Sequence, residues 1–389
     1  MVFVLSSQNI FEYLAQNALI HEEEKNLIQV ELKVAKNFNL LVNICYNRQF
    51  LVKQERYNSE GKTAGEFVNE WSIQEFLKRF PELSYIQLWL PEVLHFNADD
   101  SVIVFNYLNN YRDLADFYAK ENVFPEAIAT IIGTIIATIH RATLDRKDYR
   151  DFFNKNSHET AKEQSFKLTS ALDRIEPEVF GLVPAHGIKF LALYQRYDSL
   201  GSAIAELTKA FHPCCLVHND LKLNNILLQV DWEQALEVTE SPSQSIVRLI
   251  DWERCSWGDP AFDLGTLIAS YLQLWLSSLV VSKNISLEES LRLAMVPLEQ
   301  IQPAIAALTT AYLKQFPEIL AYRPDFLHRV VQFTGLSLIH QIQAAIQYQK
   351  TFGNAGICTL QVAKSLLCRP VQSISTVFGC SESELCESV

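Results

Sequence analysis

The sequence predicts an α+β protein: a small sheet-containing N-terminal part followed by a large, mainly helical one. Three observations carry this. The chain has 389 residues, more than one compact core usually spans, so it should divide. Short apolar runs separated by polar turns recur up to about residue 106, the pattern of strands and hairpins. Beyond Leu108 the apolar residues recur at helical spacing, beginning with Ile128, Ile131, Ile132, Ile135 and Ile139. The expected parts are 1–108, with 1–30 as a helical extension, and 109–389.

Composition narrows the class. Hydrophobic residues make up 49% and charged residues 20%, too apolar a balance for a disordered chain. With 12 Gly and 13 Pro, collagen-like and linker-dominated architectures are excluded. A formal charge of −12 opposes binding to nucleic-acid phosphates, so no nucleic-acid partner is expected. The 8 cysteines form no C-x-x-C pair and no zinc-like spacing, which suits reduced thiols in the cytoplasm. The start, Met1-Val2-Phe3-Val4-Leu5, lacks the basic region of a signal peptide. Leu264 to Val281 carries no charge and approaches the length of a membrane span. It also contains Gly265, Thr266, Ser270, Gln273, Ser277 and Ser278, so a helix buried in a helical core is expected and no membrane partner.

The elements follow in order. Residues 7–30 read as an amphipathic helix with Phe11, Leu14, Ala15 and Ala18 on one face, running into the charged stretch His21–Lys25. Leu40–Cys45 and Phe50–Lys53 flank Tyr46-Asn47-Arg48-Gln49 as a hairpin. Thr63–Phe80 reads as a helix: Thr63 and Glu66 fit a capping box, and Ile73, Phe76, Leu77 and Phe80 form its stripe. Val93–Phe96 and Val102–Phe105 form a strand pair around Ala98–Ser101. Pro125 opens the isoleucine-striped helix, which ends at His140, and helical segments continue to about residue 211. Two strands, Ile226–Gln229 and Val247–Ile250, bracket an acidic, Ser-rich loop, Asp231–Ser245. Pro260–Leu367 is helical again, and the Ser/Glu-rich tail after Gln372 should fray.

Chemistry concentrates in Leu216-Val217-His218-Asn219-Asp220-Leu221-Lys222-Leu223-Asn224-Asn225-Ile226. Packing gives no reason for His, Asp, Lys and three Asn in eight positions between apolar runs; a polar turn with Asp220 as a cap is the plain alternative. Val247–Ile250 is an apolar strand that ends in Asp251-Trp252-Glu253, followed by Gly258-Asp259-Pro260-Ala261-Phe262-Asp263-Leu264. An acid at a strand end suits a hard cation such as Mg²⁺, which takes few protein oxygens and leaves the rest to phosphate and water. Asp259 reads as a helix cap before Pro260, and Asp263 as a partner of loop backbone. Lys53 stands inside the apolar strand Phe50-Leu51-Val52-Lys53-Gln54. Glu70 lies at the edge of the Ile73/Leu77 stripe, where it can face inward.

Together these motifs, in order over about residues 30–280, resemble the aminoglycoside phosphotransferase and choline kinase-like family of the protein kinase-like superfamily. The resemblance implies a two-lobed kinase-like fold that moves the γ-phosphoryl of ATP or GTP to a hydroxyl, with Mg²⁺. It implies Asp220 as the base that accepts the hydroxyl proton and Asn225 and Asp251 as metal ligands. It further implies Lys53 on the nucleotide phosphates, held by Glu70, with Asn37 in the phosphate-covering turn and Phe105 and Tyr107 at the hinge beside the nucleotide. Lys222, two residues after the base, is similar to the lysine that neutralises the transferring phosphoryl in protein Ser/Thr kinases. Two departures stand out. The turn Ala35-Lys36-Asn37-Phe38-Asn39 contains no glycine, and Asn219 occupies the glycine position of the usual His-Gly-Asp. Asn tolerates left-handed backbone better than most residues, so the second departure is compatible with the turn. The implied acceptor is a hydroxyl-bearing small molecule. A Ser/Thr peptide, as in lanthipeptide-type biosynthesis, is a second reading, and a non-catalytic pseudokinase a third.

Overall fold

The computed structural model describes residues 3–33, 35–44, 48–156, 185–238, 246–281 and 284–387. Among them the strands are β1 (Gln29–Lys33), β2 (Phe38–Ile44), β3 (Arg48–Gln54), β4 (Val93–Asn97), β5 (Val102–Asn106), β6 (Tyr111–Asp113), β7 (Cys215–Val217), β8 (Ile226–Gln229), β9 (Val247–Leu249) and β10 (Ser256–Gly258). Two compact units emerge: Met1–Asp113 with Asn225–Cys255, and Leu114–Asn224 with Ser256–Val389. The segment 225–255 joins the first unit because β8 pairs with both β6 and β9.

In the first unit β1-β2-β3-β5-β4 form one antiparallel sheet. Period-two alternation gives it two apolar faces. Phe50, Val52, Val102 and Val104 face a layer made of Leu5, Ile10, Phe11 and Leu14 from the N-terminal segment. Leu51, Ile103 and Phe105 face the other way, onto Phe67 of the helix Glu66–Arg79. Lys53, in phase with Leu51, therefore lies on the helix side. Gln54, in phase with Val52, is buried on the N-terminal side. Its amide accepts from Leu5 N–H at 2.7 Å and donates to Phe3 O at 3.0 Å and Asp100 O at 2.9 Å.

Several elements differ from the sequence reading. The helix expected over 7–30 is only Ile10–Gln16, and Ala18 takes φ +56° just beyond it. A new 3₁₀ turn, Glu22–Leu27, begins where Glu24 accepts from His21 N–H at 2.8 Å, and β1 follows with strict alternation in Gln-Val-Glu-Leu-Lys. The charged stretch thus opens a turn instead of ending a helix. The second helix starts at Glu66 with Gly65 as its cap, in left-handed backbone, and without the Thr63–Glu66 capping box. The N–H groups at its start are satisfied instead from a distance by Glu55, just past β3, whose buried carboxylate accepts from Gly65 N–H at 2.9 Å and Phe67 N–H at 2.6 Å. The connection between β8 and β9 carries a helix, Trp232–Val238, where a loop was expected; residues 239–245 of that loop lie outside the described residues. So do Tyr46 and Asn47 of the hairpin turn and residues 157–184 of the helical stretch.

Among the described residues of the second unit, the strands are the short pair β7–β10, three residues each and too brief to show a period, and the rest of its regular structure is helical. The helix Glu126–Thr143 lies against Leu298–Gln315 at very close range: a Cβ on Gly133 would fall 2.2 Å from Leu308 O, so only glycine fits. The uncharged run forms most of the helix Pro260–Ser278, with Leu264, Leu267, Ile268, Tyr271 and Leu272 buried. No single described helix is long and apolar enough to cross a membrane. The tail does not fray as expected: Pro370–Phe378 and Glu382–Glu387 are helices whose Ile374, Val377, Phe378 and Leu385 are buried. Their apolar side chains recur at helical spacing beneath a polar surface composition, which masked them.

Candidate active site

In the first unit Lys53 is held by Asp251. Lys53 Nζ donates to Asp251 Oδ1 at 2.5 Å, and the ammonium sits 5.2 Å above the Phe105 ring. The lysine side chain is 15% exposed and the aspartate 33%, so the pair is screened only in part. Burial works against the Lys53 charge, but Asp251, Glu70 and Glu253 outweigh it and hold the ammonium above the usual lysine range. Glu70 is buried and accepts from the Trp252 backbone N–H. Burial pushes its carboxyl up to about 8; Lys53 opposes that shift, whereas Asp251 and Glu253 reinforce it. The sequence reading gives Lys53 to Glu70. In the structure Asp251 makes the direct contact and Glu70 acts on the lysine through its field.

Asn225 and Asp251 lie at the same end of the β8–β9 ladder. Ile226 pairs with Leu249, and just beyond that pair Ile250 N–H donates to Asn225 O at 2.9 Å. Asp251 takes φ +61°, an uncommon conformation for a residue with a Cβ. The next residue explains how it persists. The Trp252 indole is buried and donates from Nε1 to Leu249 O at 2.9 Å, tying the turn back to its own strand.

The glycine-free turn presents Lys36, which pairs with Glu66 and, at 3.5 Å, with Glu253. Burial raises the Glu253 carboxyl; Glu66 and Asp251 push it further, against Lys36 and Lys53. Asn69 donates to Glu253 O at 3.2 Å. No spacing in the sequence links residues 36, 66 and 253, so this group was missed. Asn37, half-buried in the same turn, stands two residues before Asn39, the β2 partner of Lys53. Phe105 is buried beside Lys53. Tyr107, just past β5, has a more open ring and donates its backbone N–H to Gln49 O at 2.8 Å.

Asp220 and Lys222 belong to the second unit, in the loop after β7. Asn219 adopts φ +63°, the left-handed conformation expected of it. Its side chain donates to Ser256 Oγ at 2.7 Å. Across the pair Gly258 lies so close to Val217 that a Cβ would sit 2.3 Å from Val217 Cγ2. Asp263 Oδ2 accepts from His218 N–H at 2.6 Å and Oδ1 from Asn219 N–H at 2.8 Å. Lys222 Nζ donates to Asp220 Oδ2 at 2.8 Å. Asp259 caps the helix Pro260–Ser278 through Ala261 N–H at 3.0 Å. It also accepts from His212 N–H at 2.9 Å and from Arg323 at 2.6 Å, contacts no sequence signal announced.

A 4-hydroxytryptamine kinase of Psilocybe cyanescens is 24% identical over 186 residues, 47% of this chain and 46% of that protein. The match thus spans about half the length of the curated relative. An ethanolamine kinase of Plasmodium vivax superposes with a TM-score of 0.55 at 13% identity, covering 94% of this chain and 90% of that one. A choline kinase of Cryptosporidium parvum gives 0.49 at 14% identity, covering 96% and 98%. The first superposition establishes a kinase-like α+β fold. The phosphotransferase enzyme family (APH) matches residues 69–283, more than half of the sequence, and the chain belongs to that family.

Proposed function

We propose that the protein transfers the γ-phosphoryl group of ATP to a hydroxyl of a small, amine-bearing alcohol. The observation that carries this reading is the Lys53–Asp251 contact, formed by a strand lysine and an aspartate held in left-handed backbone. An ammonium held beside a carboxylate is poised to exchange that partner for phosphate oxygens. Asn225 and Asp251 offer an amide and a carboxylate oxygen at one end of a ladder. That is a hard donor set suited to Mg²⁺, which bound there would neutralise phosphate charge. On this reading Lys53 orients the phosphates with Glu70 behind it. Phe105 and Tyr107 lie beside the base of ATP or GTP, and Asn37 belongs to the covering turn. Asp220 accepts the proton of the attacking hydroxyl while Lys222 meets the charge that develops on the moving phosphoryl.

The acceptor class rests on the relatives. Their names specify hydroxytryptamine and ethanolamine, an aromatic and an aliphatic alcohol that each carry an amine. A chain charge of −12 favours encounter with such cations. Those names favour a small acceptor over a peptide, and the presence of Lys53, Asp220, Asn225 and Asp251 favours turnover over binding alone. The test is ADP release from MgATP with 4-hydroxytryptamine, ethanolamine or choline. Acceptor-dependent release supports the proposal; tight nucleotide binding without release for any hydroxyl compound sinks it.

A further inference from the structure

We propose that Lys36 is a second phosphate-binding cation, working with Lys53 as a two-point clamp on the nucleotide polyphosphate; this rests on the reading of Lys53 as a phosphate ligand. Lys36 stands in the glycine-free turn just before β2. Every residue from Ala35 to Asn39 carries a Cβ, which holds the backbone back from a phosphate that glycine would let approach. A long side chain is then the turn's remaining means of contact. Lys36 is the one charged residue in that run, and an ammonium donates strongly to phosphate oxygens.

Two carboxylates hold this ammonium in the nucleotide-free protein. Lys36 pairs with Glu66, in the first turn of the helix Glu66–Arg79, and its Nζ lies 3.5 Å from Glu253 Oε1. Glu253 in turn interacts electrostatically with Lys53, and helps to keep that lysine charged. One carboxylate therefore stands in the fields of both lysines, one on the turn and one on β3. The register agrees, since Asn39, three residues after Lys36, is the β2 partner of Lys53. Lys36 is also the open partner: its side chain is 55% exposed, against 19% for Glu66 and 14% for Glu253. An ion pair with so exposed a member contributes little stability, so trading carboxylate for phosphate oxygens costs little. Lys53 trades Asp251 in the same way, and the two ammonium groups then meet different phosphoryl groups of one chain, with Lys36 on the outer ones.

The experiment is isothermal titration of the full chain with MgATP and with AMP, for wild type, Lys36→Ala, Lys36→Arg and Glu66→Gln. For Lys36→Ala we expect MgATP to bind about 10- to 100-fold more weakly and AMP, which lacks the outer phosphates, to stay within about threefold of wild type. Lys36→Arg keeps the charge and should hold most of the MgATP affinity. Glu66→Gln leaves Lys36 one carboxylate fewer to give up, so MgATP should bind at least as tightly as to wild type. An equal loss for MgATP and AMP in Lys36→Ala, or no loss for either, would overturn the proposal. So would a Glu66→Gln variant as impaired as Lys36→Ala, because the tie between turn and helix would then matter and not a phosphate contact. A wild type that binds MgATP no more tightly than AMP would count against the phosphate role of Lys53 and the phosphotransfer reading with it. A wild-type preference for MgATP that survives Lys36→Ala sinks the clamp alone.

Discussion

Lys53 and Asp251 are 198 residues apart in sequence and 2.5 Å apart in space, joining the third strand to the turn after the ninth. The lysine side chain is 15% exposed and the aspartate 33%, so the aspartate is the more open of the two. On the proposed function, phosphate oxygens replace the aspartate at the ammonium. Replacing Asp251 by Ala should abolish Mg²⁺-dependent nucleotide binding, because a hard cation loses its anionic oxygen ligand. Isothermal titration with ATP, with and without Mg²⁺, checks this; full retention of the metal-dependent component would refute the assignment.

Asp259 should behave in the opposite way. A simple cap contributes about 0.5–2 kcal/mol. Asp259, however, also pairs with Arg323 where both side chains are buried, and removing one partner of such a pair costs about 3–5 kcal/mol. Asp259→Ala is expected to fall in the upper range in chemical denaturation. A loss below about 1 kcal/mol would show that the Arg323 contact contributes little.

Asp220→Asn keeps the shape of the loop and removes the carboxylate proposed to accept the hydroxyl proton. The expected result is a kcat lower by roughly 10²–10⁴ with nucleotide affinity nearly intact. Unchanged turnover would remove Asp220 from the mechanism.

Glu55 and Thr63 can be told apart. Glu55→Ala strips two backbone N–H groups of their buried acceptor and should cost about 1–3 kcal/mol. Thr63→Ala should stay within about 0.5 kcal/mol, since the helix begins without it. Equal losses would argue for the capping box after all. Thermal melts suffice.

Glu70 sets a pH dependence. Its carboxyl is pushed up to about 8 in the folded protein from an ordinary 4.5. Across that window the folded state keeps a proton that the unfolded chain has released. Stability therefore falls as pH rises through the window and levels off above it. Glu70→Gln should flatten this decline in nucleotide-free melts taken between about pH 5 and pH 8. A mutant curve parallel to wild type would show that another group is responsible.

The elements that carry the candidate residues were legible where spacing in the chain reflects spacing in the fold. His218 to Asn225 follows the strand Cys215–Val217 as one short segment, and Val247 to Asp251 is a strand with its terminus, so local pattern located both. The strand pairs of the first sheet and the isoleucine stripe from Ile128 to Ile139 were legible for the same reason. What failed depends on distant partners. Glu55 outcompetes Thr63 for the N–H groups at the helix start because strand and helix meet, and Asp251 takes the direct contact with Lys53 because the β8–β9 ladder delivers it there. Lys36, Glu66 and Glu253 looked like ordinary surface charges for want of any local signal. The N-terminal helix was overextended because helical and strand spacing are hard to separate in so short a run. A strand turned out to begin at Gln29.

Gln54 shows how the aim of a reactive group can be inherited from neighbours that do no chemistry. Its amide is gripped by Phe3, Leu5 and Asp100, and Val52 is sealed into the same layer. Lys53 sits between them, so it has no choice of side. Mutational drift on the helix-facing side could change the surroundings of the ammonium while the lysine kept its side of the sheet. An insertion or deletion within Arg48–Gln54 would instead reverse inside and outside from that point along the strand, and so turn the ammonium into the oily layer.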